Sequence, residues 1–407
     1  MNSKTMTFRP PAGFEELLLT CRRHIHQNPE IGFQEYETSR FIKETLANHG
    51  LATEGPLAKT GLYVDIEGTA TPIIAQSDQT PFIGYRADID ALPIQDAKTI
   101  AYASKNAGVA HLCGHDVHTT IAIGIALLLN ENRDAFSGKI RVFFQPNEEG
   151  NPSGAPEMIK DGILEGLQAA YAVHVDPTLP TGMYGLKKGA VTAAATRFKV
   201  VVSSPSTGHS ARPHEAIDTV WVATQLANQL YQLAGRFTDP RDATILTICR
   251  FFAGEAYNVV PAEVEFGGTL RCTSLETRNK MQALIRSVAE AQSSQSAASV
   301  QVDFDEGIPP VMNDGRLVDH LAATICDMHS KEAIFQIPRP SMGAEDFANY
   351  QLVIPGAMIR VGTSNGPATS YPLHDAHFDV DESAIEPTIQ LMTNVLVSHV
   401  NGQLLRD

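Results

Sequence analysis

Short apolar runs typical of β-strands alternate with helical segments along most of this chain of 407 residues. Parallel strands need such helices, because the chain must cross back over the sheet between one strand and the next. The alternation predicts an α/β fold in which a mostly parallel, mixed sheet carries helices on both faces. The strand-type runs of the first half are Leu62–Ile66, Phe82–Tyr85, Ile140–Phe144 and Ala170–Val175.

A different pattern interrupts this alternation in the middle of the chain. The predicted order there is β-α-β-β-α-β, which is the ferredoxin-like α+β arrangement. We therefore expect an α/β domain in two parts, 1–188 and 306–407, with a smaller domain, 189–305, inserted between them. The predicted elements of the insertion are Thr196–Val202, Asp218–Phe237, Thr244–Phe252, Glu263–Cys272, Glu276–Gln292 and Ser299–Phe304.

The charge balance and the apolar runs exclude several classes of partner. With 31 basic and 46 acidic residues the net charge is −15, which repels phosphate backbones, so no nucleic-acid partner is expected. The apolar run Ile121–Leu129 is far shorter than the roughly 20 residues that span a bilayer, so we expect no membrane span. The start, Met1–Leu19, has no signal-peptide core, and the five scattered cysteines suggest a reducing compartment, so we expect a cytoplasmic protein.

Polar residues follow or end three of the predicted strands. Asp88 and Asp90 come after the second strand, Glu148 and Glu149 after the third, and His174 lies near the end of the fourth. Open α/β sheets bind their ligands at the carboxyl ends of parallel strands. The sequence therefore predicts a site with metal-binding or acid-base side chains at this edge of the sheet.

Between the second and third strands, three histidines, a cysteine and an aspartate occur within eight residues. Residues two apart do not share a helix face. Cys113 and His115 can therefore converge only if Gly114 lies in a turn and the next helix begins near Asp116 or Thr119. The alternative interpretation is a small buried cysteine beside solvated histidines at a helix start.

The pair Glu148 and Glu149 suits hydrolysis, which needs one carboxylate to hold a metal and another to carry a proton. An acidic solvated loop is the alternative. A single histidine in an apolar strand, such as His174, is usually a core residue, so ligation depends on the other candidates. The same holds for His374, which follows a loop rich in Gly, Ser and Pro and is therefore on a segment suited to carrying a ligand.

Four further polar residues are candidates for orienting the ligands rather than binding a metal. A ligating imidazole needs an acceptor for its other N–H. Capping or turn formation is an equally good explanation for them. They are Asp88, Asp90, Asp116 and His118.

Eight ordered motifs make the chain similar to a known group of enzymes. It resembles the metal-dependent aminoacylase and carboxypeptidase superfamily, in the branch of hippurate hydrolases, N-acyl-amino-acid amidohydrolases and auxin-conjugate hydrolases. The resemblance runs from about Cys21 to Val400. The motifs are Arg23–Glu30, Arg86–Pro93, Cys113–Asp116, Phe144–Gly150, Gly208–His209, Asn258–Pro261, Gly343–Phe347 and Leu373–His374.

The resemblance implies two divalent metal ions per subunit and a general base, Glu148, that activates water. A thiolate favours zinc, while imidazoles and a carboxylate also suit manganese, cobalt or nickel, and relatives often use manganese or zinc. The implied metal ligands are Cys113, His115, Glu149, His174 and His374.

The resemblance also implies that the inserted domain is a lid through which the protein forms a homodimer. His209 would stabilise the negatively charged oxygen in the site of a partner subunit, and His214 is a second candidate for that role. Asn258 and Arg271 would hold the backbone and the carboxylate of the substrate.

We therefore expect a two-metal amidohydrolase that cleaves N-acyl amino acids or related small amides carrying a carboxylate. Two alternatives belong to other classes of function. One is a metal-dependent deaminase or C–N hydrolase acting on an aromatic amine with the same fold, because fold does not determine function. The other is a non-catalytic relative, which a missing ligand or base would favour.

Overall fold

The computed structural model describes residues 6–71 and 81–404, and the chain divides into two compact units. Unit 1 contains the described parts of Met1–Gly189, Met312–Pro338 and Asn349–Asp407, and unit 2 contains Ala190–Val311 and Arg339–Ala348. Each unit has its own hydrophobic core. Unit 2 takes up nearly all of the segment predicted as an insertion, together with a short later segment.

The helices and strands are numbered in chain order. The α-helices in the described residues are α1 (Phe14–Gln27), α2 (Tyr36–Asn48), α3 (His115–Glu131), α4 (Gly154–Lys160), α5 (Thr219–Leu233), α6 (Leu275–Ser296), α7 (Gly315–Met328), α8 (Phe347–Gln351) and α9 (Ile385–Ser398). The first strands are β1 (Glu54–Leu57), β2 (Gly61–Glu67), β3 (Phe82–Asp88), β4 (Lys139–Gln145), β5 (Ala169–Pro180), β6 (Tyr184–Leu186), β7 (Gly189–Ala190) and β8 (Ala194–Ser203). The later strands are β9 (Gly208–His209), β10 (Thr244–Phe252), β11 (Val259–Val260), β12 (Glu263–Cys272), β13 (Ser299–Phe304), β14 (Met312–Asn313), β15 (Ile334–Gln336) and β16 (Gly356–Ser364).

Unit 1 is built on an eight-stranded sheet in the order β1, β2, β4, β3, β5, β16, β6, β15. The central strands β4, β3, β5 and β16 are mutually parallel. Towards the edges, β2 runs antiparallel to β4, and β6 runs antiparallel to β16. The predicted mixed α/β fold is therefore confirmed, and the carboxyl ends of the parallel strands lie at one edge.

Helix α3 is the central helix of unit 1, and nearly all of its residues are buried. Its run Ile121–Leu129 is apolar apart from Gly124, which is typical of a helix enclosed by other elements rather than one with a solvated face. It contacts α1 and α9 as well as the strands β3 and β4. Even so, none of the helices in the described ranges combines the length and the apolar character needed to cross a bilayer.

Unit 2 contains a four-stranded antiparallel sheet in the order β10, β12, β8, β13, with α5 and α6 packed on it. Helix α5 begins after Asp218, whose side chain accepts a hydrogen bond from the Trp221 N–H. The predicted end of this helix at Phe237 is wrong. The helix stops at Leu233, because Ala234 is extended and Gly235 has a positive φ of 73°.

Two histidines make unit 1 sensitive to acid. His399 directly follows α9, and His320 of α7 contacts Ser398 at the end of α9. The Tyr171 hydroxyl forms a hydrogen bond with His399 Nδ1 at 2.9 Å. Burial, with a smaller contribution from His320, lowers the pKa of His399 to about 3, and burial also lowers the pKa of His320. The folded protein therefore disfavours the charged form of both side chains.

We predict that these two histidines cost no stability above pH 6.5 and lower the free energy of unfolding as the pH drops towards 3. The unfolded chain binds protons that these folded histidines reject, and His399 alone lowers stability at pH 5 by about 2 kcal/mol. Urea unfolding of the wild type and of His399→Asn between pH 5 and 8 measures this. Asparagine keeps an acceptor for Tyr171, so the variant should show a shallower pH dependence.

The control is His214→Asn, because the His214 side chain is 78% exposed. This substitution should leave the pH dependence unchanged. A His399→Asn protein with the same pH dependence as the wild type would contradict the assignment.

Candidate metal centre

The predicted site residues of unit 1 lie at the carboxyl ends of the central parallel strands. Asp88 ends β3 and is in register with Gln145, which ends β4. His174 lies on β5, next to β3 in the sheet. The prediction that His174 is near the end of its strand is wrong, because β5 continues to Pro180 by pairing with β16 as far as Ser364.

A left-handed turn at Gly114 brings Cys113 and His115 together. Gly114 has a φ of 88°, and a Cβ at this position would collide with the Val175 side chain, so only glycine fits. Helix α3 begins directly after it, at His115. The turn at Gly114 and the helix start near Asp116 agree with the prediction, and the alternative start near Thr119 is too late.

The five residues predicted as metal ligands form a continuous set of contacts. The ligand atoms of Cys113, His115 and Glu149 all lie within 4.8 Å of one another. Cys113 Sγ is 3.6 Å from His174 Nε2, and His374 Nε2 is 3.1 Å from Glu149 Oε1. A thiol, three imidazoles and a carboxylate are therefore assembled in one place, which is the donor set that binds transition metals.

In two of these histidines, His115 and His174, Nδ1 forms a hydrogen bond with a backbone carbonyl oxygen, so Nε2 is the ring nitrogen that does not contact the backbone. His115 Nδ1 lies 2.9 Å from the Asp90 carbonyl oxygen, and His174 Nδ1 lies 2.8 Å from the Val175 carbonyl oxygen. A carbonyl oxygen only accepts, so both Nδ1 atoms carry protons. Within the described residues, the buried Nε2 of His115 makes no hydrogen bond of normal geometry. Such a group is suited to a metal cation.

The electrostatics around His115 also favour a cation. Burial lowers the pKa of His115, but the negative charges of Asp88 and Asp90 outweigh burial and raise it well above its usual value. The site is thus negative enough to hold a positive charge out of water. Burial raises the pKa of the Cys113 thiol to about 12, so a bound cation would have to displace its proton.

Asp88 and His118 contact each other beside this group. His118 Nδ1 donates to Asp88 Oδ1 at 2.7 Å, and His118 Nε2 accepts from the Val175 N–H at 3.0 Å. Both ring nitrogens of His118 are therefore occupied, so this residue is unsuited to ligation. Burial would raise the pKa of Asp88, but His115, Arg86 and His118 hold it well below its usual value.

Asp90 connects two of the predicted ligands. Its Oδ1 is 3.1 Å from His115 Nδ1, and its Oδ2 accepts from the Glu149 N–H at 3.0 Å. One carboxylate thus holds the start of α3 and the turn after β4 in a common arrangement.

Asp116 contacts α1 instead of a predicted ligand. Its Oδ2 accepts from Arg22 Nε at 3.0 Å and from His26 Nδ1 at 2.7 Å. Arg22 is buried and also pairs with Asp379 at 2.5 Å and Glu382 at 3.1 Å. Asp116 therefore fixes the first turn of α3 against α1. We expected Asp116 to accept a hydrogen bond from a proposed imidazole ligand, but its contacts are with Arg22 and His26.

Sequence reasoning missed the roles of Arg22 and His26. A signal was available, because these residues are four apart in α1 and fall on the same face as its buried apolar residues. A charged side chain on the buried face of a helix requires a partner. The identity of that partner, Asp116, is separated by 94 residues from Arg22 and could not be read from local pattern.

Glu148 lies in the turn after β4, directly before Glu149, and is 8% exposed. Its carboxyl group is therefore largely shielded from bulk water. This placement agrees with the predicted division between a ligating and a proton-carrying carboxylate, although the roles themselves stay predictions.

The candidate residues of unit 2 are described within that unit alone. His209 in β9 pairs with Val259 in β11, and the Ser210 N–H donates to the Asn258 carbonyl oxygen, so His209 and Asn258 lie close together. Arg271 in β12 donates from Nη1 to the Met342 carbonyl oxygen at 2.7 Å. His214, the second candidate, is exposed and lies 3.9 Å from Glu215.

Comparison with known proteins agrees with the motifs. Residues 84–398 match peptidase family M20/M25/M40. An N-acetyl-L-cysteine deacetylase of Bacillus subtilis is 37% identical to this chain, and the match covers 91% of this chain and 85% of the deacetylase. The IAA-amino acid hydrolase ILR1-like 4 of Arabidopsis thaliana is 34% identical, and the match covers 94% of this chain and 86% of that protein. The structure of the Bacillus subtilis YXEP protein, a dinuclear metal-binding peptidase from the M20 family, is 31% identical with a TM-score of 0.82, covering 95% of this chain and 98% of that one. The resemblance inferred from the motifs is confirmed.

We predict that His374→Ala weakens metal binding and that His377→Ala does not. Both histidines lie on the same loop, but His374 contacts Glu149, whereas His377 contacts Asp375 at 3.1 Å. Loss of even an outer partner of a metal ligand costs about 10–100-fold in affinity, so loss of His374 should cost at least about tenfold. Competition with a chromophoric chelator measures the affinity for zinc and manganese in each variant. Equal affinities in the two variants would remove His374 from the metal centre.

Proposed function

Since the chain belongs to peptidase family M20/M25/M40 and is a metal-dependent hydrolase of amide or peptide bonds, we propose that it cleaves N-acyl amino acids. The bond broken is the amide between the acyl group and the amino acid, or the equivalent bond of a related small conjugate. The observation that carries the proposal is the cluster of Cys113, His115 and Glu149, with the shielded Glu148 next to it. The names of the deacetylase and the IAA-amino acid hydrolase support the same substrate class.

In this proposal the cofactor is a pair of divalent metal ions, manganese or zinc, with cobalt and nickel as alternatives. The dinuclear metal binding of the YXEP protein supports the number of ions. The mixture of thiol, imidazole and carboxylate donors supports these metals over magnesium or calcium, which prefer oxygen ligands. The proposed ligands are Cys113, His115, Glu149, His174 and His374.

Metal ions held by these residues would supply Lewis acidity towards the amide carbonyl and the attacking water. Glu148 removes a proton from that water and delivers it to the leaving nitrogen, which makes it a general base and then a general acid. Asp90 keeps the Glu149 backbone in place, and therefore also holds the neighbouring Glu148 near the cluster. Both carboxylates are thus positioned before a substrate arrives.

The proposal assigns the binding of the reacting oxygen and of the substrate carboxylate to unit 2. His209 Nδ1 accepts the Ala211 N–H at 3.1 Å, so the neutral ring carries its proton on Nε2 and can donate it to a negatively charged oxygen. The guanidinium of Arg271 suits a carboxylate, which it can bind through paired hydrogen bonds. Asn258, beside His209, would hold the substrate backbone.

The proposal also includes a homodimer formed through unit 2 and a location in the cytoplasm. Strand β10 is an edge of its sheet, and Phe251 and Phe252 on it are 41% and 58% exposed. An exposed apolar edge strand is a template for pairing with another strand. All five cysteines are free thiols, which supports a reducing compartment.

We predict that Glu148→Gln abolishes hydrolysis and keeps the metal. Glutamine is of similar size but cannot take a proton from water, so kcat should fall by about 10²–10⁴-fold. Amino-acid release from N-acetyl and N-benzoyl amino acids measures activity, and elemental analysis measures metal content. The control is Glu157→Gln, nine residues further on, whose carboxylate is 47% exposed and pairs with Lys160.

Undiminished activity in Glu148→Gln would remove the proposed base. Release of ammonia from an arylamine, without any turnover of N-acyl amino acids, would replace the proposal with an aromatic-amine deaminase.

We predict that Phe252→Lys shifts the protein from dimer to monomer, because a charge on the edge strand opposes strand pairing. Light scattering after size-exclusion chromatography measures the mass of each form. The matched control, Gln301→Lys, puts the same charge on the opposite edge strand, β13, and should remain a dimer. A wild-type monomer, or a dimeric Phe252→Lys protein, would contradict this interface.

A further inference from the structure

Glu35 is a fully buried carboxyl group, 0% exposed, that precedes α2. Each of its oxygens accepts a hydrogen bond from a different part of the chain. Oε1 accepts from the Asn147 N–H at 2.9 Å, and Oε2 accepts from the Thr60 hydroxyl at 2.6 Å. Glu35 thus ties the start of α2 to the turn that follows β4.

Keeping this carboxyl group in the interior is costly. Burial, together with the nearby negative charge of Asp90, raises the pKa of Glu35 to about 7, even though the Thr60 and Asn147 hydrogen bonds lower it. An apolar residue would fill the same space without that cost. What the carboxyl group provides, and an apolar residue could not, is a pair of hydrogen-bond acceptors.

One of these acceptors binds the N–H of Asn147, which has a left-handed backbone with a φ of 54°. Such a conformation is uncommon outside glycine. Asparagine adopts it more readily than most residues, and contacts with the surroundings help to hold it. Asn147 directly precedes Glu148 and Glu149. Its conformation therefore sets the direction in which the chain delivers the proposed base and the proposed ligand.

The surroundings of Asn147 hold it from several sides. Its Nδ2 donates to the Pro152 carbonyl oxygen at 2.7 Å, and its carbonyl oxygen accepts from the Gly154 N–H at 2.8 Å. A Cβ at Gly32 or Gly150 would collide with the Asn147 Oδ1, so both glycines allow its carboxamide to pack closely. The Asn147 N–H is the remaining polar group of this residue, and Glu35 is its acceptor.

We propose that Glu35 is a positioning residue, which holds Asn147 in the left-handed turn and so fixes the backbone that carries Glu148 and Glu149. The inference rests on the proposed function of those two carboxylates. Without the acceptor, the buried Asn147 N–H loses its hydrogen bond, and the turn relaxes towards an ordinary conformation. The carboxylates of Glu148 and Glu149 would then be displaced, and a displacement of about 1 Å can cost about 100-fold in rate.

The test compares Glu35→Ala, Glu35→Gln and the wild type as purified metal-loaded proteins. Glu35→Ala should lower kcat for an N-acetyl amino acid by about 10–100-fold and change KM by less than about threefold. Glu35→Gln keeps an oxygen that can accept the Asn147 N–H, so it should restore kcat to within about threefold of the wild type. A general loss of stability would give neither this kcat effect nor the rescue.

A second measurement does not depend on activity. Hydrogen exchange of the Asn147 amide should be slow in the wild type and in Glu35→Gln, and at least about tenfold faster in Glu35→Ala. If the alanine variant does not fold, Glu35→Asp replaces it, because its carboxyl is one methylene too short to reach the Asn147 N–H. The matched control is Asn313→Ala, which removes a buried side chain bonded to Lys187 and Met358, and it should lower stability and leave kcat unchanged.

Unchanged kcat together with unchanged exchange at Asn147 in Glu35→Ala would overturn the proposal for Glu35. Undiminished hydrolysis by Glu148→Gln would instead overturn the proposed function. In that case the exchange of the Asn147 amide still decides whether Glu35 holds the turn.

Discussion

One buried carboxylate, that of Asp90, holds together the chain segments on which the candidate metal centre depends. Asp90 follows β3. Its carboxylate accepts hydrogen bonds from His115 Nδ1 at the start of α3 and from the Glu149 N–H in the turn after β4. Because three segments meet at this side chain, the positions of a proposed imidazole ligand and a proposed carboxylate ligand are coupled. An acid in the interior is stable here because both of its oxygens have partners.

Buried charge is a general feature around this centre, and the buried Arg22 is paired with three acids. Arg22 lies among Asp116, Asp379 and Glu382, so α1 is joined to the first turn of α3 and to the segment before α9. Removing one partner of such a buried pair typically costs about 3–5 kcal/mol, because the other charge is left without compensation. These pairs therefore hold α1 against α3. The negative charges of Asp88 and Asp90, in contrast, surround His115 and suit a bound cation.

Much of the fold could be predicted from local patterns. The apolar runs of β3, β4 and β5 and the long apolar run of α3 follow directly from residue type and periodicity. The order of elements in unit 2 was readable for the same reason. The errors lie at element ends, where other parts of the chain decide. Strand β5, for example, continues past Val175 because β16 pairs with it.

The candidate site divides in the same way. Residue types and their order along the chain were enough to indicate a thiol, three imidazoles and a carboxylate as a metal-binding set, with a second carboxylate beside them. Only the folded chain decides which ring nitrogen of His115 and His174 is available, that His118 is fully occupied, and that Asp116 and Glu35 hold backbone segments in place. The His174 contact is with the adjacent residue Val175, whereas the other contacts join groups that are 25 to 112 residues apart in the sequence. Hydrogen bonding responds to those distances rather than to local pattern.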